Sequence, residues 1–195
     1  MKLHIFNPEH DIALAANQER FTAPHAGRRL RTDLGFIPAF WASEGDMVLV
    51  DDVEAAIEAR RHLSKFGKDV VFVTYADLKA FAFENVESFQ VDPWGWDRTI
   101  KEQLLRANSN LQSFMPSDDT LAAIREMSSR RFAAEHLLPL LREAGEEKTV
   151  GEARYCTTME VVKQAMAQNG KSVLKSPWSS SGRGVRYVET AAPDA

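Results

Sequence analysis

A chain of 195 residues, 44% of them hydrophobic, is long enough for one ordinary domain, or for one domain and part of a second, with a buried core. Its 24 Lys and Arg against 28 Asp and Glu give a formal net charge of -4, which excludes a general attraction for nucleic acid or an anionic membrane and leaves any anion site to local geometry. The single cysteine, Cys156, excludes an internal disulfide and a multi-thiolate metal site, and fits a reducing, cytoplasmic setting.

The amino terminus turns polar at Asn7-Pro8, too early for a signal peptide, and no apolar run approaches the ~18 residues that span a bilayer. Neither a membrane nor a nucleic acid is therefore expected as a partner. Residues 3–6 form a short apolar run closed by Asn7-Pro8, as a first buried strand that ends at a turn should. A helix is predicted to follow, and the polar cluster Asn7-Pro8-Glu9-His10-Asp11 lies at its start. Two readings fit the cluster. Asn7 caps the helix and the acids complement its dipole, or Asn7, Glu9 and His10 hold a small-molecule substrate at the sheet edge where ligands gather. A metal site is not expected, because adjacent helix residues point in different directions and no His-x-x-x-His pair is present. His4, His25, His62 and His136 are scattered without ligand spacing. Arg28, Arg29 and Arg31 on a second helix, with Arg60 and Arg61 beyond, are interrupted by acids and read as solvated faces rather than a nucleic-acid stripe.

Residues 47–50 and 70–73 are further β-branched apolar runs. Between them residues 53–66 carry Val53, Ala56, Ile57, Leu63 and Phe66 at helical spacing before Gly67. This strand-helix-strand unit predicts a parallel sheet with right-handed crossovers and ligands beyond the carboxyl ends of its strands. Pro93-Trp94-Gly95-Trp96 is an aromatic turn that anchors a loop on the core, with stacking of a base or sugar as the alternative. Residues 97–108 and 117–144 read as helical, with Ser117, Asp118 and Asp119 as capping candidates and Gly145 as a terminator. After the charged break Gly145-Glu146-Glu147-Lys148 the pattern becomes strand (153–157), helix (159–168), strand (172–175), loop and strand (185–188). A boundary near 115–130 divides the chain into domains 1–115 and 116–195.

The stretch 172–188 is the most informative. Lys175 ends an apolar strand, a small-residue loop follows (Ser176-Pro177-Trp178-Ser179-Ser180-Ser181-Gly182-Arg183-Gly184), and a second strand begins. Little side-chain bulk lets backbone N–H groups approach an anion, and the lysine adds fixed charge, so the pattern reads as a phosphate clamp. A mobile β-hairpin turn is the plain alternative. Lys175 favours the clamp, because an ammonium buried in an apolar strand without an anionic partner is costly. A Walker loop is excluded, since no Lys-Ser or Lys-Thr follows the last glycine, and Gly182-Arg183-Gly184 is too short for a dinucleotide fingerprint.

In these residues the chain resembles the ATP-grasp superfamily, in which a strand-borne lysine contacts the phosphates of an adenine nucleotide and a flexible glycine-rich loop closes over them. The resemblance implies ATP binding by Lys175 and by the loop residues Ser179, Ser180, Ser181, Gly182, Arg183 and Gly184. It extends over the strand and helix at 153–168. Arg130, in Ser128-Ser129-Arg130-Arg131-Phe132, is implied as an earlier nucleotide contact, with Arg131 as its rival. The amino-terminal region resembles, in pattern, the Rossmann-like layer that precedes such domains and helps hold the second substrate. The implied architecture is α/β: a Rossmann-like parallel-sheet domain (1–115), then a helical linker and a partial α+β ATP-grasp subdomain (116–195). The implied parent is an ATP-dependent ligase that activates a carboxylate as an acyl phosphate and passes it to an amine or other nucleophile. The adenine hinge and the Mg²⁺ carboxylates of the family come from a later stretch, so the chain is expected to be a fragment that binds ATP but catalyses poorly alone. An incomplete fold of this kind would expose apolar surface, through which a homo-oligomer could form.

Overall fold

The structure, a computed structural model, describes residues 1–61, 65, 68–83, 88–145, 148, 151–179 and 182–189. The chain divides into two compact units, Met1–Ala122 and Ala123–Ala195.

In the first unit each strand is short and is followed by helix or turn that carries the chain back to the starting edge, so neighbouring strands run parallel. β1 (Lys2–Ile5) leads to α1 (His10–Ala16) and α2 (His25–Leu34), and a 3₁₀ turn, Ile37–Phe40, precedes β2 (Met47–Leu49). Next come α3 (Val53–Arg61), β3 (Val71–Val73), α4 (Tyr75–Ala80), β4 (Gln90–Pro93) and α5 (Arg98–Ala107). The four strands form one sheet in the order β3-β2-β1-β4, all parallel, with Leu3 in register with Met47 on one side and Val91 on the other.

Side chains alternate across the pleat, so each strand feeds two layers. Leu3 and Ile5 of β1, Met47 and Leu49 of β2 and Val73 of β3 face one way. There they pack with Leu78 of α4, Phe83, Phe89 and Ile100 and Leu104 of α5. Val48 and Val50 face the other way, against Phe36 and Ala56. His4 lies buried on β1 with Nε2 3.1 Å from Asp46 and Nδ1 3.0 Å from Asp92. β4 has no counterpart in the sequence reading. Its Asp92 and Pro93 are poor strand formers, tolerated here because β4 is an edge strand. Leu63, Phe66 and Gly67, expected to finish α3, lie outside the described residues.

α6 (Asp118–Met127), with Ser117 Oγ accepting the Thr120 N–H at 3.1 Å, contains the division between the units. The expectation of one helical run over 117–144 needs correction. Ser129 interrupts it and caps α7 (Arg130–Phe132), and a π-helical stretch, Ala133–Leu137, follows before α8 (Leu138–Glu143). Pro139 has no N–H for the carbonyl four residues back, and the wider turn absorbs that loss. Gly145, at φ +78°, closes the run.

Residues 153–157 do not form the expected strand. Among the described residues the second sheet contains two strands, and Tyr155 instead places its ring under the Arg131 guanidinium. Thr158 caps α9 (Met159–Asn169), which packs on β5 (Lys171–Lys175); β5 pairs antiparallel with β6 (Val185–Glu189), with Val173 opposite Tyr187. Among the described residues of this unit no apolar side chain is buried, and Tyr187 is 84% exposed. No described helix is long and apolar enough to cross a membrane.

Candidate functional site

The strand order of the first sheet reverses beside β1, with β2 on one flank and β4 on the other. In open parallel sheets ligands bind in the crevice beyond the carboxyl ends of two such strands. Asn7 lies just past the end of β1, and Gly95 and Asp97 just past β4. Asn7 donates from Nδ2 to the Gly95 carbonyl at 2.8 Å and accepts the Gly95 N–H on Oδ1 at 3.3 Å. The side chain thus joins two strand ends, and no side chain caps α1.

Asp97 is 3% exposed and shares its carboxylate between two tasks. Oδ1 accepts the Ile100 N–H at 2.9 Å and caps α5, while Oδ2 accepts from His10 Nδ1 at 3.1 Å and Asn7 Nδ2 at 3.4 Å. The His10 ring lies on the backbone of Gly95, where any Cβ would overlap the imidazole. His10 therefore holds Asp97 in place and is not part of the neighbouring cavity wall.

That cavity, about 150 Å³, is bounded by Asn7, Glu9, Phe21, Arg28, Arg31 and Asp97, among others. The Glu9 side chain is 9% exposed. One of its oxygens accepts from Arg31 Nη1, while Oε2 has no hydrogen-bond partner among the described residues, and neither has Arg31 Nε. Arg28 donates from Nη1 to the Ala23 carbonyl at 3.0 Å. Gln103, also on the cavity, accepts on Oε1 from the Tyr75 phenol at 3.0 Å, and Tyr75 itself lines a separate, smaller pocket. Burial pushes the Tyr75 phenol up to about 12, with Arg31 opposing the shift and Asp51, Glu9 and Asp97 reinforcing it.

The sequence reading placed Asn7, Glu9 and His10 here, and the structure puts Asn7 and Glu9 on the cavity and His10 behind it. Arg28 and Arg31 went unrecognised as anything but solvated residues. Arg29, whose side chain is 73% exposed, is solvated, but Arg31 is turned inward onto Glu9. Residues three apart share a helix face, so the spacing of Arg28 and Arg31 was the available signal. The aromatic turn also divides: Trp96 packs on the core, while Trp94, 62% exposed, stands edge-on to Phe6 at 5.8 Å.

In the second unit Arg130 is fastened to the loop after β5. Its backbone N–H donates to the Pro177 carbonyl at 2.9 Å, Nη1 to the Ser176 carbonyl at 2.6 Å and to Ser179 Oγ at 2.8 Å, and Nη2 to the Ser179 carbonyl at 2.8 Å. Arg131 pairs instead with Glu126. Its charge is stabilised first by that hydrogen bond, which holds its pKa above the ordinary value. Trp178 closes the loop's other side, donating to the Arg125 carbonyl at 2.9 Å with the Arg125 guanidinium over its ring.

Gly182 and Gly184 adopt φ of +73° and +68°, and a Cβ at Gly184 would overlap Ser176, so glycine is needed where the two strands meet. Lys175 is exposed at the end of β5, in register with Val185 of β6, and its ammonium makes no hydrogen bond or ion pair among the described residues; Arg183 is exposed as well. The desolvation cost expected to demand an anion beside Lys175 therefore does not arise. Ser180 and Ser181 lie outside the described residues. Among the described residues no group of His, Cys, Asp or Glu is placed to hold a metal ion. No protein-family model, curated protein or solved structure matches the chain.

Proposed function

We propose that the chain is the ATP-binding portion of an ATP-grasp ligase-like protein, with the first unit as a Rossmann-like layer for the second substrate. Lys175 and the loop through Ser179, Gly182, Arg183 and Gly184 would hold the phosphates. The observation that carries the reading is the seating of this loop by Arg130. Two carbonyl oxygens of the loop accept from the guanidinium, so their negative ends are already matched by a cation. The ammonium of Lys175, one residue earlier, keeps its charge unspent by any described carboxylate, as a phosphate ligand requires. In such enzymes Mg²⁺ neutralises charge on the phosphoryl group in flight. The described residues offer it no carboxylate set.

The test is calorimetric titration of the full chain with ATP. Lys175→Ala is expected to weaken binding about tenfold or more while the far-UV circular dichroism stays unchanged. Equal affinity in the variant, or no ATP binding by the wild-type chain, removes the reading. A non-catalytic small-ligand module is the second reading, favoured by the cavity at the reversal of strand order; it expects small-molecule binding without any ATP binding.

A further inference from the structure

We infer that the aromatic patch on the sheet face at the β1–β4 edge binds a small quaternary ammonium ion, held by the exposed rings of Trp94 and Trp41 and by the carboxylate of Asp92. The patch shares no residue with the cavity beside Asn7, and the inference is independent of the nucleotide reading.

The first observation is how the sheet gathers these side chains. His4 is in register with Asp92, and its Nδ1 lies 3.0 Å from Asp92 Oδ2. Backbone pairing continues beyond them, where the Trp94 N–H donates to the Ile5 carbonyl at 2.7 Å. Residues two apart on a strand share a face, about 6.5 Å along it, so Phe6 and Trp94 follow His4 and Asp92 on one face. Phe6 meets the Trp94 ring edge-on at 5.8 Å, and Trp41, from the turn before β2, tilts against it at 6.1 Å. Both tryptophans stay exposed, Trp41 by 50%, which leaves roughly 200–300 Å² of ring surface open. A stable protein interface covers about 800 Å² on each partner, so the patch suits a ligand of a few heavy atoms rather than a protein.

The second observation is a surplus of negative charge. Asp46 and Asp92 flank a single imidazole, and even the doubly protonated ring of His4 brings one positive charge against two carboxylates. No described Lys or Arg side chain pairs with either. Asp46 is buried and also accepts the backbone N–H groups of Lys2 and Ser43. The surplus therefore falls on Asp92, whose side chain is 49% exposed and whose Oδ1 has no partner among the described residues. Indole faces are negative as well, so ring and carboxylate attract a cation together and repel an anion such as phosphate.

The hydrogen-bonding inventory selects the cation. A metal ion or a bare ammonium is strongly hydrated and needs several oxygen partners in exchange for its water, where the patch offers one free carboxylate oxygen. A guanidinium brings five N–H donors to that same oxygen. A quaternary ammonium has no N–H to satisfy, and its methyl groups carry the charge directly onto the ring faces.

The test is a titration of the full chain with choline, which presents a trimethylammonium group, read by tryptophan fluorescence at constant ionic strength and without nucleotide. Its uncharged carbon isostere dimethylbutanol, methyl glucoside, ammonium and guanidinium are titrated alongside. Saturable choline binding is expected, with each of the other four about threefold or more weaker. Trp94→Ala and Asp92→Asn should each weaken choline binding about threefold or more with retained circular dichroism, Trp41 still reporting in the first. If Asp92→Asn fails to fold, Trp94→Ala and Trp41→Ala carry the test, because both side chains are exposed. The inference is overturned if choline does not bind, if any of the other four binds as tightly, or if the folded variants bind choline like wild type. ATP takes no part, so failure here leaves the nucleotide reading standing, and failure of the ATP titration leaves this one.

Discussion

Truncating Asp97 to alanine tests the construction of the first site. The buried carboxylate accepts three hydrogen bonds: the capping bond from the Ile100 N–H and the two from His10 and Asn7. Losing an N-cap aspartate costs about 0.5–2 kcal/mol. The Asn7 amide keeps its 2.8 Å bond to Gly95, so its loss is small, but His10 Nδ1, in a side chain 15% exposed, loses its acceptor at about 1–3 kcal/mol. These effects share one network and fall short of simple addition, so Asp97→Ala should destabilise the first unit by about 2–4 kcal/mol, a large part of the 5–15 kcal/mol typical of a domain. Asp97→Asn retains the capping oxygen and presents an amide N–H₂ to His10, so about 1–2 kcal/mol is expected. Urea unfolding followed by far-UV circular dichroism reads both values. An Asp97→Ala midpoint that corresponds to less than about 1 kcal/mol would refute the buried network as the element joining β1 to β4.

Gly95→Ala places a methyl group inside the His10 ring's position and should cost about 1–3 kcal/mol; His10→Ala in the same chain should recover much of that, and a double-mutant cycle in urea with no coupling would contradict the contact. For Asp46, burial opposes ionisation, but the Lys2 and Ser43 backbone N–H groups and His4 outweigh it and hold the carboxyl below its ordinary 3.8. A folded pKa below the unfolded one contributes stability that is full above pH 3.8 and is lost as pH falls through the folded value. Unfolding free energy measured between pH 5 and pH 2 should therefore drop more steeply in wild type than in Asp46→Asn, and parallel curves would count against it.

The parallel layer was legible because β2 is covered on both faces, so it reads as the continuous apolar run Met47, Val48, Leu49, Val50 rather than as an alternating one. β4 was illegible for the converse reason. At a sheet edge the backbone tolerates Asp92 and Pro93, which carry no strand signal. The break at Ser129 and the π-helical stretch were likewise hidden, because helical periodicity at 117–144 persists through a local change of register. In the site, Asn7 and Glu9 stood out by following a strand. Arg31 did not, since its neighbour Arg29 has the same chemistry and a different direction.

Local order and composition, which act through nearest neighbours, determined by themselves the strand-helix-strand alternation from β2 to β3 and the small-residue loop after Lys175. Tertiary structure alone decided that β1 lies between β2 and β4, that Asp97 meets His10 and Asn7, that Arg130 rather than Arg131 grips the loop, and that Lys175 is exposed. Each of these joins residues from different elements, and such pairings depend on strand order and burial, which local periodicity does not encode.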